Sequence, residues 1–165
     1  LTLLLVDTAT NKLLGEFLQA ERKKHLGIDL KIEITDSKTR SSRFNASDFQ
    51  VVVGGWQENY PDPENWFLGL WETDGSINKT KTSITALDDA IAKAKFNTND
   101  EERRKLYRDA EKLLLEQANG IAPLYHTLAA MLVKPHIKGM VENKRPGDTF
   151  VPGDWYIELW TTSNK

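Results

Sequence analysis

The chain has 165 residues, of which 39% are apolar and 28% charged, and its formal net charge is −2. This is ordinary globular composition for one domain, and it argues against disorder. The charges form no basic stripe, which argues against a nucleic-acid partner, and no apolar run approaches the roughly 20 residues that cross a bilayer. The absence of cysteine excludes a disulfide framework and thiolate metal sites.

The start of the chain predicts a strand–helix–strand unit. Residues 1–6 form an apolar strand, and a turn-rich stretch that supplies an N-cap leads into a helix over about 12–25. The predicted apolar face of this helix consists of Leu14, Phe17 and Leu18. Gly27 ends the helix where a left-handed residue is needed. In the strand that follows, at 28–34, apolar and polar residues alternate, which predicts one buried and one polar face.

A polar stretch at 36–47 separates this unit from an apolar run at 49–53. That run is apolar on both faces, which predicts an interior strand of a sheet with parallel pairing. Gly54 and Gly55 end the strand, and Trp56 follows. In open α/β sheets ligands gather beyond the carboxyl ends of strands, so an indole there either stacks on a ligand or caps the sheet as a core residue.

The second half predicts two helices and several short strands. The first helix covers about 84–96 with Ile84, Leu87 and Ile91 on one stripe; the second opens at Asn99 with Glu102 in a capping box. Its predicted apolar stripe is Leu106, Ala110, Leu113, Leu114 and Ala118. Strands are predicted at 121–125 and 129–133, and a short one at 155–160 within a loop-like tail.

Motifs for catalysis are absent from the sequence. It contains no glycine-rich phosphate loop and no nucleophile elbow, and His25, His126 and His136 lack metal-ligand spacing. Two acids near tryptophans, Glu58 and Asp62, raise the alternative of a glycoside hydrolase fragment. The sequence Asp-Pro-Glu at 62–64 instead favours an N-cap, a proline at N1 and an acid in the first turn of a helix.

Four segments then carry a family resemblance. They are DFQVVVGGW at 48–56 with NYPDPENWF at 59–67, DEERRKLY at 100–107 with AEKLL at 110–114, IAPLY at 121–125, and LGIDL at 26–30. In their order and spacing along the chain, these segments resemble the extracellular solute-binding proteins of family 5. Those proteins serve ABC importers of oligopeptides, dipeptides, nickel and some oligosaccharides. The resemblance covers nearly the whole chain.

The resemblance implies an α/β fold: a periplasmic-binding-protein-like (type II) lobe with a mixed β-sheet flanked by helices. Members of the family are typically about three times longer, so residues 1–165 are expected to be a single domain, the carboxy-terminal lobe of a two-lobed protein. The start within a strand and the missing export signal fit this expectation. The expected location is extracytoplasmic, in the periplasm or on the outer face of the cell membrane.

The implied function is capture of a small solute in a cleft between lobes, without enzymatic activity. The expected partners are a peptide or small-molecule ligand, the remaining lobe of the same protein and the membrane subunits of an ABC transporter. No cofactor is implied, and no residue cluster argues for nickel. The expected ligand contacts of this lobe are Gly55, Trp56, Gln57, Asn59, Tyr60 and Trp66.

One position departs from the family pattern. In the peptide-binding members that this chain resembles, an aspartate three residues after the tryptophan pairs with the α-amino group of the peptide, whereas this chain has Asn59. A neutral amide can hydrogen-bond an ammonium group but cannot neutralise it. The departure weakens the assignment to peptides and favours oligosaccharides somewhat, because sugar rings stack on indole faces. An interaction domain without a small ligand is a further alternative.

Overall fold

Three consecutive leucines form the centre of a parallel sheet. The computed structural model describes residues 1–57, 59–60, 62–118, 120–126, 132, 134–138 and 161–162. Strand β1 (Thr2–Val6) contains Leu3, Leu4 and Leu5, each 1% exposed. It pairs in parallel with β2 (Lys31–Thr35) on one side and with β3 (Val51–Val52) on the other, giving the order β2-β1-β3. Burial on both faces explains why β1 is the central strand.

Helix α1 (Ala9–Leu26) makes the crossover between β1 and β2, as predicted. The Thr8 side chain accepts a hydrogen bond from the Asn11 amide at 3.1 Å, and Gly27 ends the helix with φ 67°. The helix lies close to the sheet at Gly15, where a Cβ would come within 2.7 Å of Leu5 Cδ1. The predicted apolar face is wrong at Phe17, which is 60% exposed, because the helix turns Gly15 and Leu18 toward the sheet.

Two strand predictions need correction in this part of the chain. The pairing of the second strand begins at Lys31 rather than at residue 28, and Ile34 is 40% exposed although Leu30 is buried. The predicted interior strand at 49–53 is reduced to β3, which lies at an edge of the sheet within the described residues. The central place is taken by β1, whose leucines are the more deeply buried.

The polar stretch at 36–47 contains a helix that the sequence interpretation missed. Helix α2 (Ser37–Asn45) has no buried residue, so it shows no apolar stripe. Its start is fixed by Asp36, whose Oδ1 accepts hydrogen bonds from the amides of Lys38 at 2.9 Å and Thr39 at 3.0 Å. The helix is therefore specified by its cap rather than by an apolar face.

The remaining elements within the described residues are three helices and two short strands. They are α3 (Glu64–Phe67), α4 (Thr85–Lys95), α5 (Asp100–Gln117), β4 (Ile137–Lys138) and β5 (Thr161–Thr162). Strands β4 and β5 pair antiparallel. Leu87 and Ile91 of α4 are fully buried, as predicted.

Asn99 caps α5, but the reciprocal bond of a capping box does not form. The Asn99 side chain accepts hydrogen bonds from the amides of Glu101 and Glu102, both at 3.1 Å. The Asn99 amide itself donates to Asn97 Oδ1 at 2.8 Å rather than to Glu102. Residues 121–125 adopt no regular structure, so the strand predicted there is wrong. The strands predicted at 129–133 and 155–160 fall outside the described residues, apart from residue 132.

The chain divides into two compact units. Unit 1 comprises Leu1–Trp56 with Gly69–Thr85, and unit 2 comprises Gln57–Leu68 with Ala86–Lys165. Unit 1 contains the parallel sheet, whose core is Leu3, Leu5 and Leu30. The expectation of a single domain over residues 1–165 stays a prediction. No helix in the described ranges is long and apolar enough to cross a membrane.

In a loop of unit 1, residues 69–85, two backbone segments approach each other closely, and the side chain of Asn78 links two further points of the loop. Asn78 Nδ2 donates to the carbonyl oxygens of Glu72 at 2.8 Å and Thr82 at 2.7 Å. A Cβ at Gly75 would clash with the carbonyl oxygen of Gly69, a contact that only a backbone shift can relieve. Glycine at 75 is therefore required by close approach of two backbone segments.

Replacing Gly75 by alanine is expected to lower the free energy of unfolding by about 1–3 kcal/mol, because the new methyl group overpacks against fixed backbone. The matched control is Gly54→Ala, whose methyl group would meet its nearest neighbour, Arg40 Nη2, at an ordinary 3.6 Å. Urea unfolding of both variants measures the difference. Equal stability of the two variants would contradict the close approach.

Candidate functional site

The segment after β3 presents open backbone at the carboxyl edge of the parallel sheet. Gly54 and Gly55 are exposed and Trp56 is half-buried. Apart from Gly55 itself and its two chain neighbours, no described residue has an atom within 4 Å of the position that a Cβ would take at Gly55. The parallel pairing of β3 with β1 puts this segment where ligands of open α/β sheets bind. A bound molecule can therefore approach the Gly55 backbone beside the indole of Trp56.

Arg40 lies at the same edge of unit 1. Its Nη2 atom donates a hydrogen bond to the carbonyl oxygen of Val53 at 2.6 Å, immediately before the two glycines. Its guanidinium carbon lies 4.6 Å from the centre of the Phe44 ring, and Phe44 in turn stacks on Phe49 with a centroid distance of 5.6 Å. Burial lowers the pKa of the Arg40 guanidinium, which nevertheless stays protonated at neutral pH. Arg40 was not recognised from the sequence.

Two surface grooves of unit 1 lie elsewhere. One is lined by Thr2 and Lys31, at the amino ends of β1 and β2, and by Gln19 of α1. The other lies beside the ion pairs of Arg43 with Glu33 at 2.7 Å and Asp48 at 2.9 Å. The carboxyl edge near Trp56 is exposed at Gly54 and Gly55. Fold topology and the family resemblance, rather than concavity, point to that edge.

Within unit 2, the segment 57–68 carries four of the predicted contact residues on its surface, the first of them the exposed Gln57. Asn59, Tyr60 and Trp66 are all exposed, Trp66 by 40%. The Asn59 amide donates to Oδ1 of the buried Asn65 at 2.7 Å, and the Tyr60 hydroxyl donates to Glu64 Oε2 at 3.4 Å. Among the described residues, nothing hydrogen-bonds to the Asn59 side chain. The side-chain carboxamide of Asn59, unlike its backbone amide, is therefore a candidate for contact with a ligand.

Asp62 fixes this segment to helix α5. Its carboxylate accepts two hydrogen bonds from Arg103, Nη1 to Oδ2 at 2.9 Å and Nη2 to Oδ1 at 2.7 Å. Oδ1 also accepts from the Glu64 amide at 2.8 Å. The predicted cap is nonetheless displaced by one residue, because α3 begins at Glu64 and Pro63 occupies its N-cap position, where no side chain accepts a capping hydrogen bond. Burial raises the pKa of the Asp62 carboxyl, but the bonds from Arg103 and Glu64 outweigh burial and hold that pKa below its ordinary value.

An aromatic stack extends this contact. The Arg103 guanidinium carbon lies 5.0 Å from the centre of the Tyr107 ring, and Phe67 stacks on Tyr107 at 5.4 Å. Tyr107 is 4% exposed, yet it was missing from the apolar stripe predicted for α5. The signal was present in the spacing, since Arg103 and Tyr107 are four residues apart on the face that continues to Ala110 and Leu114.

This geometry bears on the hydrolase alternative. A general acid needs a raised pKa, whereas Arg103 keeps Asp62 ionised and occupies both of its oxygens. Glu58 lies outside the described residues. The described part of the chain also contains no group of three or more side chains placed to hold a metal ion. Of the three histidines, His25 lies at the end of α1, with its Nε2 atom 3.1 Å from Oε2 of Glu21.

The predicted contact residues thus fall in both units. Gly55 and Trp56 belong to unit 1, and Gln57, Asn59, Tyr60 and Trp66 belong to unit 2. Five of the six are exposed, and Trp56 is half-buried. Their joint role in binding stays a prediction.

Comparison with known proteins extends these observations. Residues 1–78 match the profile of the family described as bacterial extracellular solute-binding proteins, family 5 Middle. The chain is 32% identical over 95% of its length to the periplasmic murein peptide-binding protein MppA of Escherichia coli, and 32% identical over 82% to the periplasmic oligopeptide-binding protein OppA of Salmonella typhimurium.

The solved structures agree. The Escherichia coli murein tripeptide binding protein MppA superposes on 100% of this chain with a TM-score of 0.78 and 29% identity, over 31% of its own chain. OppA of Haemophilus influenzae, in a complex with the peptide RPPGFSPFR, superposes on 84% with a TM-score of 0.74 and 27% identity, over 27% of its own chain.

Fold and neighbours define a lobe of the type II periplasmic-binding-protein class, in which parallel strands are flanked by helices, as the sequence predicted. Within that class, the chain belongs to the extracellular solute-binding proteins of family 5. It spans only 29% of the length of MppA and 24% of that of OppA.

Asp62→Asn is expected to lower the free energy of unfolding at pH 7 by about 1–2 kcal/mol, because a charge-assisted, partly buried pair with Arg103 is lost. The folded-state pKa of Asp62 is depressed, so its contribution is complete above the unfolded pKa and disappears as pH falls through the folded pKa. The difference between wild type and variant should therefore be complete above about pH 4, the ordinary range of an aspartate, and shrink as the pH falls below it.

Urea unfolding at pH 7 and pH 3 provides the measurement. The control is Asp29→Asn, which removes an ion pair with Lys23 in which the aspartate side chain is 85% exposed, and which should leave stability unchanged at both pH values. A difference for Asp62→Asn that is as large at pH 3 as at pH 7 would show that the ion pair is not its source.

Proposed function

We propose that the protein containing this chain captures peptides outside the cytoplasm and delivers them to an ABC importer. The observation that carries the proposal is the extent of the match: relatives named as peptide-binding proteins cover 82–95% of this chain at 32% identity. The periplasmic location in the names of these relatives supports an extracytoplasmic location here.

The carboxyl edge of the sheet supports the same function. A peptide presents amide groups along its whole length, and the open backbone at Gly55 offers matching donors and acceptors. The half-buried indole of Trp56 supplies an apolar wall beside it. Gln57, Asn59, Tyr60 and Trp66 are further contact candidates because their side chains are exposed.

The exposed Asn59 side chain determines how this chain would contact the α-amino group of the ligand. Its Oδ1 atom is able to accept a hydrogen bond from the ammonium group of a peptide, but it carries no charge to neutralise that group. The peptide-binding relatives favour a peptide over the oligosaccharide alternative nonetheless. In this proposal the α-amino group is hydrogen-bonded rather than ion-paired by residue 59.

The proposed protein binds and releases its ligand without changing it. The hydrolase alternative requires Asp62 as a catalytic acid. The ion pair of Asp62 with Arg103 instead supports a structural role for this residue. In this proposal the chain supplies one wall of the binding cleft, and the remaining lobe of the same protein closes over the ligand by hinge motion. The membrane subunits of the importer receive the loaded protein.

A native mass spectrum of the protein from the complete reading frame, purified without refolding, tests the ligand class. The expected spectrum contains an additional mass that tandem fragmentation resolves into amino-acid residues. Brief unfolding and refolding by dialysis gives the matched ligand-free control, in which that mass should be absent.

Two results would contradict peptide capture. Bound masses spaced by hexose or pentose units would make the tryptophan-rich segment a sugar platform instead. A ligand-free protein that also fails to bind a synthetic library of dipeptides to pentapeptides would remove the support for any peptide ligand.

A further inference from the structure

Arg40 places a positive charge at the edge of the sheet where the proposed ligand segment begins. Helix α2 starts directly after β2, so its first turns lie at the carboxyl edge of the parallel strands. From there the guanidinium reaches the end of β3 and bonds to the Val53 carbonyl oxygen at 2.6 Å. It lies 3.6 Å from the position that a Cβ would take at Gly54.

The charge of Arg40 has no acidic partner in the described part of the chain. No carboxylate there lies within 4 Å of its guanidinium, and burial is the cause of its lowered pKa. The carboxylate nearest in sequence, Asp36, is engaged by its own helix: its oxygens accept from the amides of Lys38 and Thr39 and from the Thr39 hydroxyl at 2.6 Å.

Two other arginines with partly buried guanidinium groups form ion pairs with carboxylates. Arg43, with a 27% exposed side chain, pairs with both Glu33 and Asp48. Arg103, with a 20% exposed side chain, makes the two-bond contact with Asp62. Partly buried charges are normally paired in this way because desolvation disfavours an isolated ion. Arg40 differs from both in having a neutral carbonyl and an aromatic face as its described partners.

A structural role accounts for only part of the Arg40 side chain. Its bond to Val53 uses one of five N–H donors, and its stacking on Phe44 uses one face of the planar group. The donors that remain have the fork geometry that matches a carboxylate with two parallel hydrogen bonds.

We propose that Arg40 is a specificity-determining residue that binds a carboxylate of the ligand through two hydrogen bonds. This proposal rests on the proposed function of peptide capture. It complements the neutral Asn59: the chain has no acid at the position expected to pair with an amino group, yet beside Gly54 it has a cation without an acidic partner among the described residues. The carboxylate belongs either to the carboxyl terminus of the peptide or to an acidic side chain, since both present the same group.

The test compares matched peptides on the protein from the complete reading frame. Native mass spectrometry first selects the tightest binder from a synthetic library of tripeptides to pentapeptides with free carboxyl termini. Isothermal titration calorimetry then measures that peptide, its carboxyl-terminal amide, and versions in which glutamate or aspartate is replaced by the corresponding amide residue. The terminal and side-chain changes separate the two sources of the carboxylate.

Four proteins are compared: wild type, Arg40→Gln, Arg40→Lys and the control Arg22→Gln. Arg22 is also half-buried and without an ion pair in the described residues, but it lies toward the carboxyl end of α1, at the opposite edge of the sheet. Wild type and Arg22→Gln should bind one carboxylate form about 10- to 100-fold more tightly than its uncharged counterpart. Arg40→Gln should lose that preference, and Arg40→Lys should show a smaller one because lysine lacks the fork.

The possible failures are distinct. If wild type binds none of the peptides, peptide capture itself is wrong and this inference falls with it. If wild type binds peptides but does not distinguish carboxylate from amide, or if Arg40→Gln keeps the full preference, peptide capture stands and the role of Arg40 is overturned. Should Arg40→Gln fail to fold by circular dichroism, Arg40→Lys decides: a reduced preference supports the proposal and an unchanged one refutes it.

Discussion

The parallel pairing of β1 with both β2 and β3 is the constraint on which the candidate site depends. Because the three strands run in one direction, the ends of β2 and β3 meet at a single edge although they are separated along the chain. The start of α2 and the segment after β3 are thereby neighbours in unit 1. This is why Arg40 reaches Val53, and why Gly55 and Trp56 emerge beside a cation.

Burial of the leucines of β1 keeps this arrangement in place. Leu3 and Leu5 lie on one face with Leu30, while Leu4 lies on the other, and all three β1 leucines are almost completely removed from water. Each buried leucine contributes roughly 1.5–3 kcal/mol to folding, so the direction and register of the neighbouring strands are strongly fixed. Gly15 lets α1 approach the same core closely. The candidate binding edge thus adjoins the most deeply buried part of unit 1.

A different kind of contact organises the described part of unit 2. The segment 57–68 contains little regular structure apart from α3, and a two-bond ion pair attaches it to α5. Phe67 and Tyr107 add an apolar contact between the same two elements. Asp62, which the sequence alone offered as a catalytic candidate, therefore holds in place the surface on which Asn59, Tyr60 and Trp66 are exposed.

Local signals explain what the sequence could predict. The crossover of β1, α1 and β2, the left-handed Gly27 and the cap at Asn99 each depend on residues close in the chain. Helix α2 was missed because it has no apolar face, and the strand at 49–53 was overestimated because an apolar run does not reveal which strand is central. The order of the predicted elements did place Gly55 and Trp56 after the carboxyl end of a strand of the parallel sheet. Arg40 and Arg103 escaped notice because their partners lie 13 and 41 residues away.

The central claim is that the ligand binds at the carboxyl edge of the parallel sheet, against the segment that follows β3. A crystal structure of the protein from the complete reading frame, bound to its tightest peptide, tests this claim most directly. The account predicts peptide atoms within about 4 Å of Gly55 and Trp56, the distance of van der Waals contact. A peptide bound instead in the groove at the amino edge, against Gln19 and Lys31, would contradict it.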